Sequence, residues 1–170
     1  MEWTDTLILE PRTAAEAKHS VVDGVQITPV QDATLLHAKA RTHKETETVL
    51  KLLRGFRTAG RRVVLCDTSC LSDDYHTVER QLGHTLVETG HAELLVSCGL
   101  CGREVAIGAR DEGLELANVV VCGDARSACE VLAYRVQPGD AVLLLGVGDD
   151  TRARLVMSLN NRLSRPAVAA

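Results

Sequence analysis

The chain of 170 residues is long enough for one domain with a real core, and 45% of it is hydrophobic although only 2% is aromatic. A net charge of -4, a pI near 5.9 and the scarcity of Phe, Tyr and Trp offer neither the basic footprint nor the stacking platforms of a nucleic-acid binder. No apolar run approaches the ~20 residues of a membrane span, and Met1-Glu-Trp-Thr-Asp5 has no basic segment leading into an apolar one, so the expectation is a cytoplasmic protein with neither membrane nor nucleic acid as partner.

In chain order, residues 1–24 read as a linker or peripheral segment, with Leu7–Glu10 as a candidate strand and Pro11–Gly24 as linker or peripheral helix. Residues 25–163 read as the domain and 164–170 as a tail. Val25–Val30 is a candidate strand. Thr42-His-Lys-Glu45 is a capping box opening a helix to about Thr58, with Val49, Leu50 and Leu53 facing inward. Arg61–Cys66 is a strand with a basic start. A helix follows from about Asp73 to Thr89, with Ser72 as N-cap, Val78, Leu82 and Leu86 on one face, and Gly90 ending it. Glu93–Cys98 is the next strand, Cys101–Glu112 its helix, closed by Gly113. Asn118–Cys122 is a third strand, followed by a helix over Ala125–Val136 with Asp124 as N-cap. The run Gln137-Pro-Gly-Asp140 is a turn by composition, Ala141–Val147 a buried strand, and Thr151–Leu163 the last helix.

Strands alternating with 10–15-residue helices indicate βαβ units. A core of Val, Leu, Ile and Ala suits strands buried on both faces. The expected class is α/β: a three-layer, Rossmann-like, mostly parallel sheet with helices on both faces. In such a sheet the carboxyl ends of the strands form the ligand crevice.

Taken as a series, these pieces resemble the C-terminal domain of the Mur ligases, above all the ligase that adds D-alanyl-D-alanine in peptidoglycan biosynthesis. The resemblance runs over residues 9–163. Val64-Leu-Cys-Asp67-Thr-Ser-Cys-Leu71 stands where the family has a strand ending in Leu-Gly-Asp-Met and a Glu-Leu-Gly turn, so that Asp67 and Leu71 match the family Asp and Leu. Ser97-Cys-Gly99-Leu-Cys-Gly-Arg-Glu-Val-Ala-Ile-Gly108 matches the family's next helix start. Val136-Gln-Pro-Gly-Asp140-Ala-Val-Leu-Leu-Leu-Gly146-Val matches its Leu-x-Pro-Gly-Asp-x-Val-Leu-Val-Lys-Gly-Ser, and this Pro-Gly-Asp turn is the most specific piece.

The departures are as informative. Leu145 replaces the family lysine and Val147 its serine. Ala40-Arg-Thr-His43 replaces Asn-Ala-Asn-Pro, His37 stands at the position of an Asp, and Cys66 at that of a Gly. The phosphate loop G-x-x-x-x-G-K-[ST], which the family carries in its central domain, is missing, and Gly146 and Gly148 are followed by Asp149 and Asp150, which repel phosphate. ATP and Mg²⁺ are thus implied by the resemblance alone, and no ligation by this chain alone is expected. The expectation is a stand-alone or truncated domain that binds a small ligand, or a separate chain supplying the ATPase domain, in a crevice lined by Asp67, Thr68, Ser69, Gly99, Gly123 and Gly146. A decayed paralogue that keeps only the fold fits the same losses.

The six cysteines support a rival reading. Cys66, Cys98 and Cys122 each end a predicted strand, which brings three thiols to one sheet edge. Cys66-x-x-x-Cys70 with Cys98-Gly-Leu-Cys101 has the spacing of a four-sulfur zinc site, with His76 or His37 as substitute ligands. Cys101, opening a helix, is the thiol whose pKa a helix dipole lowers, as a redox site requires. Against both stands simple core packing, since Cys is a small hydrophobe, and Cys129 reads as core. His84 and His91 read as solvent-facing, and Asp73, Asp74, Asp149 and Asp150 as charges complementing helix N-termini.

Overall fold

The computed structural model describes residues 20–22, 24–40, 42–71 and 79–164. Leu7–Glu10, Ser72 to Val78 with His76, and the tail beyond Ser164 lie outside them. The first strands are β1 (Ser20–Val22), β2 (Val25–Val30) and β3 (Ala33–Ala38). Then α1 (His43–Gly55) leads to β4 (Arg62–Asp67), a single 3-10 turn (Thr68–Cys70), α2 (Glu79–Glu88), β5 (Leu94–Cys98) and α3 (Gly102–Asp111). The chain ends in β6 (Val119–Val121), α4 (Ala125–Arg135), β7 (Ala141–Leu145) and α5 (Asp149–Leu163).

One seven-stranded sheet results, in the order β1-β2-β3-β7-β4-β5-β6. From β3 onward every neighbouring pair is parallel, while β1–β2 and β2–β3 are antiparallel. The α/β class with a mostly parallel sheet is therefore as expected, and the antiparallel extension is new. The β2–β3 hairpin turns through Gln31 and Asp32, with Gln31 at φ +54, and β1 falls in the stretch read as linker.

The Thr42 and Asp124 cap signals act as predicted. Thr42 closes its capping box with Glu45, and Asp124 accepts the Ser127 N–H at 2.7 Å as N-cap of α4. The last helix starts two residues earlier than expected, placing Asp149 and Asp150 in its first turn.

The core is split by the sheet. On the first face Val49, Leu50 and Leu53 of α1, Leu82 and Leu86 of α2, and Val105 and Ala109 of α3 pack on Val64, Cys66, Leu95, Leu143 and Leu145. On the second, Ala128, Cys129, Leu132 and Ala133 of α4 with Leu155 and Leu159 of α5 pack on Val63, Leu65, Val96, Cys98, Val142 and Leu144. Strand residues alternate between these faces because successive side chains point to opposite sides.

The Pro-Gly-Asp turn does structural work at the amino edge of the parallel strands. Asp140 is 2% exposed, and its carboxylate accepts the Arg61 N–H at 2.8 Å and the Gln137 N–H at 2.9 Å. It is also ion-paired to the Arg61 guanidinium at 2.8 Å. The turn thus locks the starts of β4 and β7 to each other, at the opposite edge from the expected crevice. Among the described residues no helix is long and apolar enough to cross a membrane.

Candidate ligand crevice

Topology sets the crevice. The connection leaving β7 enters α5 on the second face, while those leaving its neighbours β3 and β4 enter α1 and α2 on the first. Adjacent parallel strands whose connections part to opposite faces leave a cleft beyond their carboxyl ends, the usual ligand position in open α/β sheets. Here the cleft straddles the end of β7, with β4 on one side and β3 on the other.

On the β4 side stand Asp67, Thr68 and Ser69 at the end of β4 and Gly99 after β5, while Gly146 ends β7 and Gly123 follows β6, the outermost strand, apart from the cleft. Asp67, 6% exposed, ends β4, and its carboxylate accepts the Ser69 N–H at 3.0 Å to cap the 3-10 turn. The Thr68 hydroxyl donates to the Cys98 carbonyl at 2.9 Å and accepts the Cys101 N–H at 3.1 Å, tying the loop after β4 to that after β5. Gly99 is at φ +86, and a Cβ there would lie 2.6 Å from both the Thr68 and Ser69 hydroxyl oxygens. Gly146 is at φ +70, and a Cβ would run into the Asp67 carbonyl and Leu71. Only glycine fits at either position. These two glycines are thus explained by close packing within the chain, and Asp67 and Thr68 spend hydrogen bonds internally. Ser69 is exposed, and Gly123, beyond β6, faces open space. Ser69 and Gly123 are the members of the set that face outward.

On the β3 side the structure adds residues that sequence reasoning left out of the crevice. His37 is 4% exposed, with Nε2 2.7 Å from the Val147 carbonyl and Nδ1 3.9 Å from an Asp149 carboxylate oxygen. The Lys39 ammonium is 2.8 Å from Asp149, and that contact holds the Asp149 carboxyl below the usual carboxylate range. The signal that could have found them is β3 itself: once Ala33–Ala38 is seen as a strand parallel to β7, residues 37 and 39 fall at its carboxyl end.

The cysteines do not converge as expected. Register pairs Asp67 with Cys98 and Cys66 with Ser97, so the Cys66 side chain enters the first-face core and Cys98 the second. A site built on both sulfurs would have to pass through the sheet. Among the described residues no group of three or more His, Cys, Asp or Glu is placed to hold a metal ion; the Cys70 side chain lies outside them. Burial pushes the Cys66 thiol up to about 12, with the Asp67 charge adding to it. The thiol of Cys101, expected to be lowered, is instead raised, first by burial and then by its hydrogen bond to Glu79 and the charges of Glu79 and Glu104. Cys129 is core, 7% exposed, as read. His91 is exposed, whereas His84 is half-buried against Glu112 at 3.0 Å.

Neither a protein-family model nor a curated protein matches the sequence. Solved structures do match in fold. MurF from Acinetobacter baumannii superposes with a TM-score of 0.61 at 14% identity, over 86% of this chain and 32% of that one. A murein peptide ligase from Psychrobacter arcticus gives 0.58 at 14% identity, over 82% and 30%. A single domain of a UDP-N-acetylmuramate:L-alanyl-gamma-D-glutamyl-diaminopimelate ligase from Haemophilus ducreyi gives 0.52 at 13% identity, over 82% of this chain and 95% of that one. The fold is therefore that of a Mur ligase C-terminal-like domain, as the sequence resemblance implied, and the chain spans about a third of the full-length ligases it matches.

Proposed function

We propose that this chain is a binding module of the Mur ligase C-terminal type, related to the ATP-dependent peptide ligases of peptidoglycan synthesis, that cannot ligate alone. Its crevice lies at the carboxyl end of β7, between the Asp67–Ser69 turn and the Lys39–Asp149 pair, with Gly99 and Gly146 in its loops and Gly123 apart from it at the far edge of the sheet. The observation that carries this reading is the parting of connections around β7, which opens a cleft where short polar loops meet.

The residues present do not fit ATP and Mg²⁺ held by this chain by itself. Leu145, at the position of the family lysine, is 0% exposed within β7 and offers no cation. The first turn of α5, a natural phosphate seat, carries Asp149 and Asp150 instead. Phosphoryl chemistry would therefore come from a separate chain supplying the ATPase domain, with this module presenting an amino-acid or dipeptide ligand.

Thermal-shift measurements with D-amino-acid dipeptides and with Mg²⁺–ATP test this. A ligand bound only by the native state at 100 times its Kd stabilises by about 2.7 kcal/mol. A dipeptide is expected to raise the Tm, and Ser69→Tyr, which blocks the exposed lip of the crevice, to abolish the rise. Mg²⁺–ATP is expected to leave the Tm unchanged. ATP turnover by the purified chain would overturn the reading, as would dipeptide stabilisation that survives Ser69→Tyr, or no dipeptide response at all.

A further inference from the structure

The Cys-Gly pair that ends β5 is repeated at the end of β6: Cys98-Gly99 and Cys122-Gly123. The strands are parallel and paired Leu95 to Val119, Val96 to Val120 and Ser97 to Val121. The Cys122 N–H donates to the Ser97 carbonyl at 2.8 Å, which carries the ladder one step further and sets Cys122 directly beside Cys98. Both side chains lie on the second face, Cys98 in its buried core and Cys122 half-buried against it. Direct neighbours on adjacent strands stand about 4.7–4.9 Å apart, inside the Cα range of roughly 4.4–6.8 Å that a disulfide spans.

From this juxtaposition we infer that Cys98 and Cys122 form an oxidisable pair, a redox-sensitive staple across the carboxyl ends of β5 and β6. Cys122 belongs to the open edge of the sheet, where an oxidant can reach it; Cys98, 0% exposed, is the resolving thiol behind it. Gly123, with no neighbour within 4 Å of an added Cβ, leaves the backbone after Cys122 room to adjust to the bridge. Cys66 is unsuited because it lies on the other face.

The step balances with a low-molecular-weight disulfide as oxidant. The Cys122 thiolate attacks one sulfur of the oxidant, the oxidant's S–S bond breaks, and one small thiol leaves, taking up a proton. The Cys98 thiolate then attacks the Cys122 sulfur, forming the protein disulfide and releasing the second small thiol, so that two cysteines are oxidised and one small disulfide is reduced. Burial raises both thiols, so they stand protonated at neutral pH and the exchange is slow. The pair is accordingly a responder to sustained oxidation.

This inference is independent of whether the crevice binds a dipeptide. Incubating the full chain with oxidised glutathione, then mapping its peptides under non-reducing conditions by mass spectrometry, tests it. The expected result is a Cys98–Cys122 cross-link with the loss of two hydrogens, reversed by dithiothreitol. It should be retained in Cys101→Ser and absent in Cys122→Ser, whose half-exposed position tolerates the change. In Cys98→Ala, Cys122 should instead accumulate as the glutathione mixed disulfide. A cross-link between other cysteines, or a stable mixed disulfide on Cys122 of the unsubstituted chain, would overturn it.

Discussion

Replacing Asp140 by Ala removes the acceptor around which the starts of β4 and β7 are organised. Its carboxylate takes two backbone N–H groups, from Arg61 and Gln137, and the Arg61 guanidinium, while its own side chain is 1% exposed. Removing one partner of a buried ion pair costs about 3–5 kcal/mol. Gln137 is exposed and the Arg61 side chain is 29% exposed, so the abandoned donors recover some water, which places the loss toward the lower end, about 3–4 kcal/mol. For a chain of this size that is a Tm decrease of roughly 6–16 °C. Thermal and urea melts followed by far-UV circular dichroism measure it, and Asp140→Asn, which keeps the volume and one acceptor oxygen, should lose less. Adding Arg61→Ala to Asp140→Ala should cost clearly less than the sum of the two single changes, since each removes the same pair. A loss below about 1 kcal/mol for Asp140→Ala, or strict additivity with Arg61→Ala, would refute the structural role assigned to the Pro-Gly-Asp turn.

Three further outcomes follow from the same packing. Gly146→Ala, forced into the left-handed region at φ +70 and against the Asp67 carbonyl, should lose roughly 2–4 kcal/mol in urea unfolding; an unchanged midpoint would show that the β4–β7 approach is looser than described. Because burial raises the folded Cys66 thiol from 9.0 to about 12, and Cys129 to about 11, the neutral thiols contribute stability that is complete below pH 9 and lost as pH climbs toward those values; Cys66→Ala should flatten that alkaline decline in Tm. At the acid end, backbone hydrogen bonding to Ser127 holds Asp124 below its ordinary 3.8, so its contribution is present above that pH and vanishes as pH falls further. Asp124→Ala should therefore lower the Tm at pH 7 and leave it unchanged well below pH 3.8, in paired melts at the two pH values.

Local chemistry made much of this molecule legible from its residues. The β4–α2–β5–α3–β6–α4–β7–α5 series, the Thr42 and Asp124 caps and the inward Val49, Leu50 and Leu53 follow from periodicity and punctuation, which act within a few residues of one another. Asp67, Thr68 and Ser69 were placed in the crevice region because a strand's carboxyl end is readable wherever an apolar run meets a polar loop.

What escaped depends on partners far along the chain. Ala33–Ala38 has only a short apolar stretch and little alternation, and becomes a strand because β2 lies on one side and β7, more than 100 residues later, on the other. With β3 unseen, His37 and Lys39 could not be set beside Asp149. The cysteines show the same limit. That Cys66, Cys98 and Cys122 end strands is written in the residues, but which face each thiol takes depends on register, and a shift of one residue reverses it. The sequence by itself determined a parallel α/β scaffold with polar loops at its carboxyl edge. Only the tertiary structure decided that β7 divides the crevice, that Asp140 serves the opposite edge, and that Cys98 stands with Cys122 and apart from Cys66, because pairing partners and side-chain faces are set by hydrogen-bond registers between strands that local signals do not encode.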